Sequence, residues 1–156
     1  MPADVIPRIE TIYPGYQWTV SAEPPPFSRL TKPLSRCRVA LISSGGVYHQ
    51  DQEPFDVAGK GDQTFREIPK DVDVRDLRVI HKGYNTTDAE RDVNCVFPIE
   101  RFRELEAAGV IGELASPTYT FMGRVFSRKA LQKEMAPALA EKLVAAGVDV
   151  FYLVPI

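Results

Sequence analysis

The sequence has little of what several specialised classes of protein require. Among its 156 residues are two cysteines and two histidines, and its formal net charge is −2. Without an excess of basic residues, the chain has no electrostatic footprint for nucleic acid or for an anionic membrane surface. No apolar run approaches the roughly 20 residues that a helix needs to span a bilayer, so we predict no membrane partner either.

No secretory signal is predicted, because the N-terminus has no basic region followed by an apolar stretch. We therefore expect a cytoplasmic chain in which Cys37 and Cys95 stay reduced. Spacings that hold zinc, such as CxxC and HxxxH, are also missing. We predict no metal site, and the sequence has no evident cofactor motif.

Proline is concentrated at the start of the chain, where residues 1–37 hold seven of the 13 prolines. Because proline fixes φ and removes a hydrogen-bond donor, we predict an irregular arm there, without a regular strand or a long helix. Aliphatic and aromatic residues such as Ile9, Tyr16 and Trp18 argue against disorder. We expect the arm to pack over the domain or over a partner subunit.

Residues 38–156 have the pattern of one α/β domain. Short apolar runs bounded by turn residues predict strands at 39–42, 65–68, 77–81 and 148–155. Apolar residues at helical spacing predict helices at 98–108 and 128–146, the second interrupted at Pro137. Strands that alternate with helices predict a mostly parallel sheet, Rossmann- or flavodoxin-like, flanked by helices.

Two segments of this domain stand out. The polar residues 47–66 predict a long loop, and loops of that length in a compact domain are usually functional. The apolar run 148–155 predicts an interior strand, and Ile156 follows it directly. We therefore expect a domain that is incomplete at its C-terminus. Either a partner completes the sheet, or the natural polypeptide continues.

A ligand site is predicted at the carboxyl ends of the strands, where open α/β sheets bind their ligands. This rule brings together the turn after the first strand and the residues after the strand at 77–81. The predicted substrate-binding residues are Ser43, Ser44, Gly45, Gly46 and Tyr84, together with Asp62 of the polar loop. Backbone N–H groups of the glycine turn are suited to hold a carboxylate.

Two side chains are candidates for catalysis. His81 ends a predicted strand and could protonate a leaving amine, or it could be a hydrogen-bonded structural histidine. Cys95 precedes the helix that begins near Pro98, and a helix N-terminus favours a thiolate. The more frequent fate of a free cysteine is a small buried hydrophobe, and we expect that fate for Cys95.

Several blocks of sequence occur in an order and spacing that resemble one family. The blocks are VALISSGGVY at 39–48, GKGDQTFREIP at 59–69, DVNCVFPIER at 92–101 and FMG at 121–123. They resemble the selenoprotein B family of the glycine, sarcosine, betaine and D-proline reductases. The resemblance implies reductive cleavage of a C–N bond in a small amine or amino-acid-like substrate by a thiol or selenol.

The resemblance also implies partners and a redox group that this segment does not contain. The family's redox-active Cys/Sec pair follows the strand that corresponds to 148–155, so we expect that pair outside this chain segment. The implied partners are other reductase subunits or a second copy of the chain, and a thioredoxin-like electron donor. Two alternatives stay open: a non-catalytic binding or scaffolding subunit of such a complex, and an unrelated flavodoxin-like module that binds a small molecule.

Overall fold

We describe a computed structural model of the chain, which covers residues 6–15, 22–24, 26, 28–59, 61–125 and 127–156. The described part of the N-terminal arm includes a short helix, α1 (Ile6–Ile12), where we predicted irregular backbone. Pro7 stands in the first turn of α1, where a proline costs no helical hydrogen bond. Tyr16 and Trp18, on which the packing of the arm was predicted, lie outside the described residues.

The domain alternates strands and helices, as the sequence predicts. The strands are β1 (Arg38–Ser43), β2 (Val47–His49), β3 (Phe65–Ile68), β4 (Leu77–Val79), β5 (Glu113–Leu114), β6 (Thr118–Phe121) and β7 (Val150–Val154). The further helices are α2 (Thr87–Arg91), α3 (Ile99–Ala107), α4 (Arg128–Ala130) and α5 (Ala136–Ala145). Short 3₁₀ turns lie at Leu34–Arg36, Val74–Asp76 and Val93–Cys95.

The main sheet is mixed, and β1 is its centre. β5 and β6 pair parallel with one side of β1, and β7 pairs parallel with its other side. β3 pairs antiparallel with β6 and forms the far edge. The predicted α/β class is therefore confirmed. Burial on both faces explains the continuous apolar run of β1, in which Val39 to Ser43 are almost fully buried.

The strand predicted at 77–81 does not join the main sheet. It forms β4, which pairs antiparallel with β2 in a separate two-stranded sheet. The predicted loop 47–66 was wrong at its start, because β2 occupies Val47–His49. The cause is the turn at Gly46, whose left-handed backbone (φ +71°) lets the chain reverse beside the end of β4.

Helix α3 packs against one face of the main sheet, and α5 contacts the edge strand β3. Phe102 of α3 packs with Val39 and Leu41 in the hydrophobic core on one face. On the other face, Lys142 of α5 forms an ion pair with Glu67 of β3, at 2.9 Å between Nζ and Oε1. Ile68 belongs to the same hydrophobic core as Phe102 of α3. Because successive residues of a strand face opposite sides of the sheet, Glu67 lies on the other face.

The helical run before β7 has an irregular centre. Ser127 caps α4 as predicted, because its hydroxyl accepts the Ala130 N–H at 3.2 Å. A π-helical segment, Leu131–Met135, then links α4 to α5. The predicted interruption at Pro137 therefore takes the form of a π segment just before it, and the proline itself occupies the first turn of α5.

The interior position predicted for the last strand stays a prediction, because its cover was expected from a partner or from further polypeptide. Among the described residues, β7 pairs only with β1, and its central residues Phe151, Tyr152 and Leu153 are exposed. The apolar run alone could not distinguish burial on both faces from exposure at an edge, because both use the same residues. Among the described residues, no helix is long and apolar enough to cross a lipid bilayer.

Candidate functional site

The turn after β1 is held by hydrogen bonds from its first serine. Ser43 is fully buried, and its hydroxyl donates to the Val96 carbonyl oxygen at 2.6 Å. The same hydroxyl oxygen accepts the Gly45 N–H at 3.0 Å. Ser43 therefore joins the end of β1 to the segment that leads into α3.

The second serine joins the turn to the end of β7. The Ser44 N–H donates to the Val154 carbonyl at 3.1 Å, and the Ser44 hydroxyl oxygen accepts the Ile156 N–H at 2.8 Å. The tip of β7 thus borders the glycine turn. The hydroxyls of both serines already have partners within the chain, so their predicted role in substrate binding stays a prediction.

The glycine pair is required by close packing. A Cβ atom on Gly46 would lie 2.1 Å from the Ile80 carbonyl oxygen, and one on Gly45 would lie 3.0 Å from the Val96 Cβ. The Gly45 N–H donates to Ser43, and the Gly46 N–H donates to the Phe121 carbonyl at 3.0 Å. A carboxylate could therefore bind these amides only after a bond within the chain has opened.

His81 and Tyr84 lie directly beside this turn, as predicted. The Tyr84 hydroxyl donates to the Gly45 carbonyl oxygen at 2.9 Å. The rings of His81 and Tyr84 are in contact, with centroids 4.7 Å apart and planes inclined by 40°. Burial, and after it the negative charge of Glu90, raise the pKa of Tyr84 to about 12. Tyr84 therefore stays a neutral phenol at physiological pH and serves to hold the turn.

The hydrogen bonds of His81 define its protonation. The Gly83 N–H donates to His81 Nδ1 at 2.8 Å, so the neutral ring carries its proton on Nε2. Nε2 is buried, and it has no hydrogen-bond partner among the described residues. Burial, followed by the positive charge of Arg124, lowers the pKa of His81. The neutral imidazole, which can donate one hydrogen bond from Nε2, is thus favoured at neutral pH.

Asp62 lies in the loop that enters β3, and its carboxylate is used there. It accepts the Asp56 N–H at 3.0 Å and the Thr64 N–H at 2.7 Å, and Arg66 approaches to 3.7 Å. Burial alone would raise the pKa of Asp62, but the bonds from Thr64 and Asp56 and the charge of Arg66 lower it. These contacts order the loop. Within the described ranges, no hydrogen bond or ion pair joins Asp62 to the turn Ser43–Gly46.

The expected burial of Cys95 was wrong. Cys95 is exposed at the end of the turn Val93–Cys95, whereas Cys37 is fully buried in the core. The sequence could not show this, because the turn directs Val93 and Val96 inward and leaves Cys95 between them outside. Cys95 is one residue from Val96, whose carbonyl accepts the Ser43 hydroxyl. Its predicted role in catalysis is untested by these contacts.

The residues after β6 are part of this region, although we did not predict them from the sequence. The Gly123 N–H donates to the Ser44 carbonyl at 2.8 Å, and a Cβ on Gly123 would lie 3.1 Å from the Ser44 Cβ. Arg124 follows and acts electrostatically on His81. The FMG block at 121–123 was the available signal, because it ends a strand at the same edge of the sheet.

A surface groove of about 640 Å³ lies elsewhere, between β4 and α2, where Tyr48, Arg78 and Glu90 line it. Arg78 is already engaged, because its guanidinium donates to the Gln50 side chain at 2.7 Å. We place the candidate site at the glycine turn, since it combines an unpaired buried nitrogen, a perturbed histidine and sterically required glycines.

The sequence matches the family model of glycine/sarcosine/betaine reductase selenoprotein B over residues 17–155. That range contains all seven strands and the candidate site. The chain belongs to this family.

Proteins similar to this chain include subunits of several reductases. It is 38% identical to D-proline reductase subunit gamma of Acetoanaerobium sticklandii, over 83% of this chain and 53% of that protein. It is 31% identical to glycine reductase complex component B subunit gamma of Carboxydothermus hydrogenoformans, over 89% of this chain and 34% of that protein. It is 29% identical to sarcosine reductase complex component B subunit beta of Peptoclostridium acidaminophilum, over 94% of this chain and 33% of that protein.

The chain spans about half the length of the D-proline reductase subunit and about a third of the other two relatives. No solved structure matches this chain. The predicted Rossmann- or flavodoxin-like arrangement therefore stays a prediction. Membership of the family excludes the alternative of an unrelated flavodoxin-like module.

Proposed function

We propose that this chain is a component of a multi-subunit reductase complex that cleaves a small amine or amino-acid-like substrate. The substrates we expect are of the D-proline, glycine, sarcosine or betaine type. The observation that carries the proposal is the family match over residues 17–155, which includes every element that builds the glycine turn. The relatives are named as reductase subunits, which favours other subunits of such a complex as partners.

The proposed reaction breaks one C–N bond and consumes two electrons and two protons. The carbon gains a hydrogen, and the nitrogen leaves as an amine. A dithiol or a thiol–selenol pair supplies the electrons and protons when it is oxidised to a disulfide or a selenosulfide. We expect this pair to lie outside residues 1–156, with a thioredoxin-like protein as the donor that reduces it again.

Within this proposal, His81 is the residue of the chain that meets the substrate. Its neutral ring carries an unused N–H at Nε2, and this N–H can donate to a substrate oxygen once the contacts that bury it have opened. Protonation of a leaving amine would need the imidazolium form, which the lowered pKa disfavours. We therefore propose that His81 first orients the substrate, and that it acts as an acid only at lower pH.

Gene disruption tests the proposal. Extracts of the host cells are assayed with dithiothreitol as reductant and with D-proline, glycine, sarcosine or betaine in turn. Disruption of the gene should abolish the reduction of one of these substrates, and expression of this chain's gene should restore it. Unchanged reduction of all four substrates in the disrupted strain would contradict the proposal.

A scaffolding subunit is the second candidate, and one observation favours it. The backbone N–H groups of Ser44, Gly45 and Gly46 already donate hydrogen bonds within the chain, so none of the three is available to bind a substrate. The variant His81→Asn separates the two roles. If it restores both the complex and full turnover, the chain is a scaffold. If it restores the complex while turnover falls about tenfold or more, His81 takes part in the reaction.

A further inference from the structure

The ring of His81 is held against its own turn by a glycine. The Gly83 N–H donates to Nδ1 of His81 at 2.8 Å. A Cβ atom on Gly83 would lie 2.6 Å from Cε1 of the ring, so the ring can occupy this position only because residue 83 has no side chain. The Cδ2 edge of the ring lies towards Gly46, where a Cβ would be 3.6 Å away. The imidazole therefore fills the space between its own turn and the glycine turn.

A series of contacts joins this ring to the backbone of the glycine turn. The ring centroids of His81 and Tyr84 are 4.7 Å apart, and the Tyr84 hydroxyl donates to the Gly45 carbonyl oxygen at 2.9 Å. We call three contacts together the His81 latch: the bond from Gly83 to His81, the contact between the two rings, and the bond from Tyr84 to Gly45. A movement of the imidazole is therefore transmitted to the turn through Tyr84.

The latch fits the neutral imidazole and not the imidazolium. Nδ1 accepts a hydrogen bond in the latch, whereas an imidazolium carries an N–H on both nitrogens. Protonation at Nδ1 would therefore set two N–H donors against each other, and the bond from Gly83 would be lost. Nε2 offers no compensation, because it is buried and has no hydrogen-bond partner among the residues that the structure describes. A protonated ring has to leave its place to reach water.

The surroundings of the ring also oppose a positive charge. Burial, and after it the positive charge of Arg124 beyond β6, lowers the pKa of His81. Lys82, the next residue along the chain, is an exposed cation. Tyr84 contacts the ring as a neutral phenol, because burial and then the charge of Glu90 in α2 raise its pKa to about 12. Protonation of the closed latch is therefore opposed by burial and by Arg124.

We propose that the His81 latch is a proton-operated switch, in which protonation of His81 releases its ring and opens the glycine turn. Opening exposes the Nε2 N–H to solvent and frees the Gly45 carbonyl oxygen. A released histidine binds its proton with a pKa of about 6.5, so the latch stays closed at pH 7.5 and opens progressively below that value. This inference rests on contacts within the chain and not on the proposed reaction, so either can fail without the other.

NMR spectroscopy of the purified chain tests the latch, because His81 and His49 are its two histidines and their ring signals can be separated. Between pH 7.5 and 5.5 the ratio of open to closed molecules should rise about tenfold, since opening takes up one proton. The nuclear Overhauser contact between the rings of His81 and Tyr84 should weaken, and the Gly46 amide signal should shift, with the same midpoint as the His81 Cε1 proton. Amide signals of β1 should stay in place. A ring that titrates and keeps its contact with Tyr84, or that stays neutral until the whole chain unfolds, would overturn the proposal.

Gly83→Ala should open the latch without a proton. The added methyl group meets Cε1 of the ring, so the ring contact should be weak already at pH 7.5, and the midpoint of His81 should rise towards about 6.5. Gly59→Ala is the matched control, because its Cβ would also meet a side-chain atom at 2.6 Å, Oδ2 of Asp56. That variant should keep the wild-type ring contact and midpoint. Circular dichroism verifies that both variants fold, and a wild-type midpoint in Gly83→Ala would contradict the latch.

His81→Phe removes the titration and keeps an aromatic ring beside Tyr84. The Gly46 amide signal of this variant should not change between pH 7.5 and 5.5. A shift of that signal with the wild-type midpoint would mean that another group titrates, and it would rule out His81 as the residue that opens the turn. This variant keeps the proposal testable if Gly83→Ala does not fold.

Discussion

At the scale of single residues, exposure separates the two cysteines more clearly than any sequence motif does. Cys37 is fully buried, and its Sγ lies 3.4 Å from the Pro33 carbonyl oxygen. Cys95 is exposed beside the segment that supports the glycine turn. Solvent therefore reaches one thiol and not the other, although Cys37 precedes β1 and Cys95 precedes α3 in the sequence.

We predict that the folded chain exposes one reactive thiol. Ellman's reagent should modify Cys95 in buffer, and Cys37 should react only in denaturant, because reagent cannot reach a buried thiol. The measured stoichiometry should rise from one to two per chain when guanidinium chloride is added. Cys95→Ser should give no reaction in buffer, and a full native signal in that variant would contradict the assignment.

The protonation of His81 makes stability depend on pH. Its pKa is lowered in the folded chain, so the unfolded chain binds the proton more tightly. Stability should be full above the unfolded pKa of about 6.5 and should fall as the pH decreases below that value. Urea midpoints at pH 7.5 and 5.5 measure the difference.

His81→Gln should reduce the loss of stability between pH 7.5 and 5.5, since glutamine does not titrate. His49→Gln is the control, because it removes the other histidine and leaves His81 in place. If the two variants lose stability equally over this interval, burial of His81 is not the cause of the pH dependence.

At the scale of elements, the turn from β1 to β2 decides how the polypeptide continues. Gly46 adopts φ +71°, and its carbonyl accepts the Ile80 N–H at 3.0 Å. This close approach directs β2 to β4 and excludes β4 from the main sheet. The strand at 77–81 is correctly predicted as a strand, but its partner depends on one backbone conformation.

Gly46→Ala should destabilise the fold by about 3 kcal/mol, through the left-handed backbone and a clash with the Ile80 carbonyl. Gly109→Ala is the matched control, because Gly109 has φ +69° and no atom within 4 Å of a Cβ. We expect about 1–2 kcal/mol for that variant from backbone conformation alone. Equal free energies of unfolding for the two variants would show that the contact with Ile80 is relaxed.

At the scale of the whole molecule, burial falls from the centre of the sheet to its β7 edge. β1 has paired strands on both sides and is buried from Val39 to Ser43, whereas β7 has one paired side among the described residues. α5 has no buried residue, although Ala130 and Met135 before it are buried. The part of the chain from α5 to β7 therefore has fewer contacts that must break before it opens.

Hydrogen exchange should follow this gradient. The amides of Val39–Ile42 should exchange most slowly, those of β7 faster, and those of exposed α5 fastest, because local opening requires the least burial to be lost there. Mass spectrometry of peptides from a dilute sample measures this order. Slower exchange in α5 than in β1 would contradict it.

Much of the fold is predictable because local patterns determine it. The apolar run of β1, Pro98 before α3 and the Ser127 cap each specify their element through neighbouring residues. The candidate site is partly predictable for the same reason, since Gly46 and His81 lie within three residues of the ends of β1 and β4. What the sequence did not predict depends on distant partners, such as the electrostatic effect of Arg124 on His81.

The sequence by itself determined the α/β class, the family and the residues at the carboxyl end of β1, because periodicity, turn chemistry and ordered motifs are local properties. Tertiary structure alone decided the pairing of β4 with β2, the tautomer of His81 and the exposure of Cys95. Each of these depends on which distant segment occupies the adjacent space. An apolar strand has the same composition whether a neighbour covers it or not.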